Sequence, residues 1–408
     1  MGGRHVTTPE GVDMPKVNPE ILVWARETAG LSPEDAARRI GMGAARGVEP
    51  GDRIRAMERG EADPTRAQVA RMARVYRRPL VAFYLAAPPA QGERGSDFRT
   101  AVGEAPGEEQ AWLDVLIREL RARHALVRAA FDEDEDILPV GFVGTMALAD
   151  GVESATDRMV RLLEFDRQEF RAQASLTDAF SYLRSRVEAA GVFALLVGDL
   201  GSYHTAISPD TFRGYALADP LVPMIVINDR DARAAWSFTL LHELCHLLLG
   251  ESGVSGAFGA LRIEQFCNDV ASQVLLDEAE LLDLELEGAQ TEALAAEINA
   301  FARERNLSRS LVAFRLYRAG RIAEAVWMDL AGHFKAEWLA HRERQRERAR
   351  ATDGGPTYYV VRRHRLGAGL LETVNYLLQT GGVSVVKAGK ILDVRPNNVR
   401  ETLAGYVG

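Results

Sequence analysis

Phe238-Thr239-Leu240-Leu241-His242-Glu243-Leu244-Cys245-His246 decides how the rest of the chain is read. Leucines surround the polar residues on every side, so a helix over Trp236 to Leu249 is predicted to be buried. Residues four apart share a helix face, which lets the imidazoles of His242 and His246 reach one ion. Glu243 follows the first ligand and projects beside the metal, where it can act as a general base. Buried imidazoles and a buried carboxylate need partners, and a metal ion supplies them. The alternative is a pair of core histidines satisfied by hydrogen bonds.

A zinc centre that works on water needs a third protein ligand and an open position. Glu264 lies eighteen residues after His246 and opens an apolar segment, Ile263 to Leu276, that reads as a second helix. The glycines at 250, 253 and 256 predict a turn that brings this helix back antiparallel. Glu264 is therefore the favoured third ligand and Cys267 its rival, because thiolate also binds zinc. Asn268 stands one turn beyond Glu264, placed to orient a ligand by hydrogen bonding. Cys245 points elsewhere on its helix and reads as core.

Upstream, Val192 to Val197, Phe212 to Ala218 and Met224 to Ile227 are short β-branched or aromatic runs separated by Gly, Ser, Pro and Asp, which is strand patterning. A helix over Leu176 to Ala190 precedes them, so the layout is α+β. Phe212 to Ala216 is expected to be an edge strand open to an extended peptide. Tyr203, His204, Tyr215 and Arg262 are candidates for stabilising an oxyanion.

Five short helices are predicted between Asn18 and Pro88. Asn18-Pro19-Glu20, Ser32-Pro33-Glu34 and Pro64-Thr65 mark helix starts through side-chain caps, prolines and first-turn acids. Pro88 to Gln110 reads as a linker, followed by an amphipathic helix that ends at the acidic run Asp132 to Asp136. Trp338 to Arg350 reads as a solvated helix of mixed charge, Tyr358 to Val361 as a strand, and Leu370 to Leu377 and Val385 to Leu392 as short helices.

The 408 residues imply two or three folded units. A net charge of -9 argues against nucleic-acid binding by the molecule as a whole. Residues 1–80 carry 14 Arg plus Lys against 11 Asp plus Glu, a net of +3, which leaves -12 on the remainder. Two cysteines make no disulfide framework, and the first twenty residues lack a secretory pattern, so a cytoplasmic protein is expected. No apolar run approaches the roughly 18 residues that would suggest a membrane span.

Together, Phe212-Arg213-Gly214, Ile225 to Asn228, Phe238 to His246 and Glu264 to Asn268 resemble the ImmA/IrrE family of zinc metallopeptidases. The front end, with Ile54-Arg55-Ala56-Met57-Glu58-Arg59-Gly60, is similar to the helix-turn-helix of XRE/Cro-type regulators. The resemblance implies an all-α helix-turn-helix module at 15–90, a linker and helical region at 91–175, and a zincin-like peptidase domain at 176–325. A mainly helical accessory region at 326–408 completes the division. It further implies Zn2+ held by His242, His246 and Glu264, with Glu243 as base. The protein substrate would be a transcriptional repressor. Arg53 and Arg55 would face the major groove of double-stranded DNA, with Arg46 or Arg59 near phosphate. A homodimer is compatible with this organisation, and no membrane partner is expected. The competing reading is a DNA-binding regulator or antitoxin-like protein whose peptidase fold serves as a sensor or dimerisation body.

Overall fold

The computed structural model describes residues 16–45, 47–89, 96–97, 107–255, 262–284, 291–350 and 357–405. The chain divides into two compact units, 1–92 with 106–115 and 93–105 with 116–408.

In the first unit α1 (Pro19–Glu27), α2 (Pro33–Ile40), α3 (Pro50–Glu58) and α4 (Arg66–Val75) precede a 3-10 segment, Leu80–Tyr84. Their starts are set locally. The Asn18 side chain accepts from the amide of Glu20, Ser32 accepts from Asp35, and Thr65 and Gln68 form a reciprocal capping box. Ile21, Leu22, Ile54, Met72, Tyr76 and Phe83 close one small core. Arg26 clamps it by donating to both oxygens of Glu58, at 2.6 and 3.1 Å, and to the carbonyl of Leu31. Arg46 lies outside the described residues.

Helix α5 (Gly107–Asp132) contributes residues to both units. The second unit is α+β. Its five-stranded sheet comprises β1 (Ser96–Asp97), β2 (Phe193–Leu196), β3 (Gly214–Leu217), β4 (Met224–Ile227) and β5 (Gly253–Ser255), in the order β1-β5-β3-β4-β2. Strand β3 runs antiparallel to both β4 and β5, while β2 and β1 lie parallel to β4 and β5. Helices α6 (Val152–Leu163), α7 (Arg167–Ala172) and α8 (Leu176–Ala189) precede β2. Helix α9 (Arg233–Leu249) packs on β3, β4, α8 and α10 (Arg262–Leu275). Leu240, Leu244 and Leu248 of α9 join Ala216, Ile225 and Ile227 of the sheet in the main core. Helices α11 (Thr291–Glu304), α12 (Arg309–Arg318) and α13 (Glu324–Arg350) follow, then α14 (Tyr358–Leu366), α15 (Ala368–Thr380), α16 (Val385–Leu392) and α17 (Val399–Thr402). Among the described residues no helix is long and apolar enough to cross a membrane.

The structure corrects three expectations. Phe212 to Ala216 does not provide an edge strand, because β3 is bonded on both sides. Its second neighbour, β5, comes from the segment expected to be only a turn; Gly256 itself lies outside the described residues. Tyr358 to Val361 is the first turn of α14 and not a strand: the amide of Val361 bonds to the carbonyl of Thr357. The β-branched pair Val360-Val361 suggested a strand, but tertiary anchoring decides the outcome. Arg362 donates to the carbonyl of Leu392, Arg365 pairs with Asp229 and Asp199, and Leu366 is buried. Most of the linker read over 88–110 lies outside the described residues, apart from β1 and the start of α5.

Candidate metal centre

One long buried helix presents His242 and His246 one turn apart, and α10 returns beside it to bring Glu264 opposite them. The two histidine Nε2 atoms stand 3.1 Å apart. Nε2 of His242 lies 3.3 Å from Oε2 of Glu264, and Nε2 of His246 lies 3.1 Å from Oε1. All three side chains are buried, at 5%, 1% and 1% exposure.

This triangle fits a metal ion. A tetrahedral ion with ligands at about 2.0–2.1 Å separates neighbouring ligand atoms by about 3.3 Å, close to the separations found here. Without a cation the cluster is poorly satisfied, since two ring nitrogens and a carboxylate converge where water is excluded. Among the described residues Nδ1 of His242 has no hydrogen-bond partner, and the Glu264 oxygens meet only the two histidines. No other group of three His, Cys, Asp or Glu side chains among the described residues converges in this way.

The electrostatics follow from burial and proximity. Burial opposes ionisation of Glu264, but hydrogen bonds and attraction from the two histidines outweigh it and hold the carboxyl at about 2. Burial also opposes charge on His242, and the Glu264 hydrogen bond overcomes it and raises its pKa. At His246 burial prevails and the pKa falls. An ionised carboxylate therefore faces at least one neutral imidazole, the donor set that divalent metals take.

Cys267, the rival ligand, is excluded by direction. Its Sγ lies 3.8 Å from Nδ1 of His246, on the side of the ring away from the shared centre. Burial and neighbouring Cys245 push its thiol well up. Asn268 is buried on α10 but makes no hydrogen bond to the three residues. The atom that faces the back of the His246 ring belongs to Cys267 instead.

Glu243 is fully buried on α9 and lies directly beneath β3. A feature not legible in the sequence makes this possible. Gly214 of β3 has no side chain where a Cβ would stand 2.5 Å from Cδ and 2.8 Å from Cγ of Glu243. The strand thus lies on the carboxylate with no room for any larger residue. Next to it, Tyr215 is buried and its hydroxyl accepts from Nε of Arg121 at 3.1 Å. Of the other oxyanion candidates, Tyr203 is exposed and its ring lies 3.8 Å from that of His204, and Arg262 is exposed at the start of α10.

The arginines singled out in α3 and just beyond are not brought together as a free basic face. Arg53 donates to the carbonyl of Gly43 at 2.6 Å. Arg55 pairs with Glu34 and Asp52, and Arg59 with both oxygens of Glu61.

Among curated proteins none matches the chain. Residues 199–317, which include α9, α10 and all three candidate ligands, match the family model of the IrrE N-terminal-like domain, Peptidase_M78, and this supports the ImmA/IrrE resemblance and a metallopeptidase-like domain.

Proposed function

We propose that the second unit is a zinc-dependent endopeptidase whose ion is held by His242, His246 and Glu264 and whose general base is Glu243. The observation that carries this reading is the buried triangle of ligand atoms 3.1 to 3.3 Å apart, with a second carboxylate beside it on the same helix. When bound, zinc supplies Lewis acidity and makes a neighbouring water a stronger acid at neutral pH. The chain's own residues do the rest. Glu243 accepts a proton from the attacking water and can return it to the leaving amine. Gly214 and its strand limit where that carboxylate can sit. Leu240, Leu244 and the core beneath them exclude bulk water from the helix that carries the ligands.

The substrate is proposed to be a protein, a transcriptional repressor in the first instance, as the family resemblance implies. The regulator reading receives less support at the N-terminal unit, where Arg55 and Arg59 already pair with carboxylates of their own unit. The test is cleavage of a repressor encoded beside this chain's gene, comparing wild type with Glu243→Gln. Loss of a general base lowers the rate by about 10²–10⁴-fold while metal is retained. A Glu243→Gln protein that cuts as fast as wild type removes Glu243 from the mechanism.

A further inference from the structure

We propose that the C-terminal helical bundle, α14 to α17, is a second helix-turn-helix whose α16–α17 face binds double-stranded DNA. The proposal does not depend on the peptidase reading.

In this segment an eight-residue helix is joined by a tight turn to a second helical stretch, made of a 3-10 turn and the four-residue α17. Helix α16 is capped by Ser384, whose side chain accepts from the amide of Lys387. It stops at Asp393 in the left-handed region, with φ of 50°. Only Asp393, Val394 and Arg395 separate it from the 3-10 turn Pro396–Asn398, which runs into α17. A three-residue connection is the length found in helix-turn-helix motifs. The turn folds tightly onto α16 at Gly389, where a Cβ would meet the Val394 carbonyl at 2.9 Å and the Pro396 nitrogen at 3.4 Å. Ala388, Ile391, Leu392, Val399 and Leu403 fill the space behind the pair.

The outward face carries four cations against two exposed acids, Asp393 and Glu401. Lys387, Lys390, Arg395 and Arg400 are exposed, and none has an ion pair among the described residues. This contrasts with Arg55 and Arg59 of the first unit, which are neutralised by Glu34, Asp52 and Glu61. Residues 357–405 contain seven Arg plus Lys against three Asp plus Glu, in a chain whose net charge is -9. Lys390, Arg395 and Asn398 line one open groove with Tyr358 and Val386; the one acid in its lining, Asp393, is paired with Arg362. Arginine and asparagine are the side chains suited to guanine and adenine edges, and lysine to phosphate. The second helix of such a motif enters the major groove, which places Asn397, Asn398 and Arg400 at the bases and the α16 lysines toward the backbone.

The bundle is fixed to the peptidase body and not hung from it. Arg365 pairs with Asp199 and Asp229, and Arg184 donates to the carbonyl of His364 at 2.6 Å. DNA held by α17 would therefore be held by the same rigid unit that carries the metal centre.

The test uses the full-length protein and a fluorescent duplex pool of randomised sequence, about 30 base pairs long so that it exceeds one helical turn. Lys390→Ala with Arg395→Ala is expected to weaken binding about tenfold or more and to reduce the salt slope of log affinity by about 2. Both positions are exposed, so the melting temperature should not change; Asn397→Ala with Arg400→Ala gives an independent second reading. Unchanged duplex affinity in both double variants would overturn the proposal. It would equally be overturned if Arg53→Glu with Arg55→Glu carried the whole loss, or if single-stranded RNA of the same length displaced the duplex stoichiometrically.

Discussion

Replacing Gly214 by alanine adds one methyl group at the point where strand β3 lies on Glu243. The new Cβ would collide with Oε1 of the carboxylate and stand 2.5 Å from its Cδ, whereas ordinary van der Waals contact begins at 3.4 Å. Something must move by at least about 1 Å, and a displacement of that size at a reacting group costs about 10²-fold in rate. The strand cannot yield easily, because Gly214 pairs with Ile227 on one side and Ser255 on the other. Helix α9 cannot yield either, since its leucines are packed into the core. The Glu243 side chain is the part that moves. The three atoms nearest to the added methyl all belong to Glu243, so the zinc ligands should be undisturbed. Overpacking should also lower stability by about 1–3 kcal/mol. The assay is single-turnover cleavage of the proposed repressor substrate, with zinc content and thermal melting measured on the same preparations. A Gly214→Ala protein that retains zinc and cuts at the wild-type rate would refute the assignment of Glu243 beneath β3 as the base.

Two other perturbations separate parts of the account. Cys267→Ser should leave the metal in place with an affinity loss no larger than the roughly 10–100-fold typical of a supporting partner; complete loss of zinc would identify the thiolate as a ligand. Asp199 is opposed by burial, yet Arg365 and Arg230 outweigh this and hold its pKa below 3.8. Its pairing therefore stabilises the fold above that pH and is lost as the pH falls through the lowered value. Asp199→Asn should cost about 1.5–3 kcal/mol in urea unfolding at neutral pH, the worth of a hydrogen bond to a charged group, and the gap to wild type should close only below pH 3.8. A gap that stays constant into strong acid would show that Asp199 contributes through packing and not charge.

The features that were legible in the sequence are those in which chemistry and local pattern coincide. The unbroken leucine setting of His242, Glu243 and His246 predicted a buried helix, and the structure contains one with the imidazoles facing each other. Glu264 was legible because it begins an apolar helix after a glycine-rich turn. Strands β2 and β4 are fully buried runs rich in branched residues, which periodicity finds. The sheet edge was not legible. Gly253-Val254-Ser255 and Ser96-Asp97 have no strand pattern of their own; the first becomes a strand on the free edge of β3, and the second on the far edge of β5. The role of Gly214 depends on β3 crossing over α9, a contact between distant segments that no local window contains. The same holds for Arg55 and Glu34, whose pairing across 21 residues no local pattern predicts.

The most direct test of the metal centre is the zinc content of purified wild type, Glu243→Gln and Glu264→Ala, measured after exhaustive dialysis. A four-coordinate site with three protein ligands predicts about one zinc per chain in the first two proteins and a small fraction of that in the third. Wild type without zinc, or a Glu264→Ala protein that holds as much as wild type, would contradict the site built from His242, His246 and Glu264.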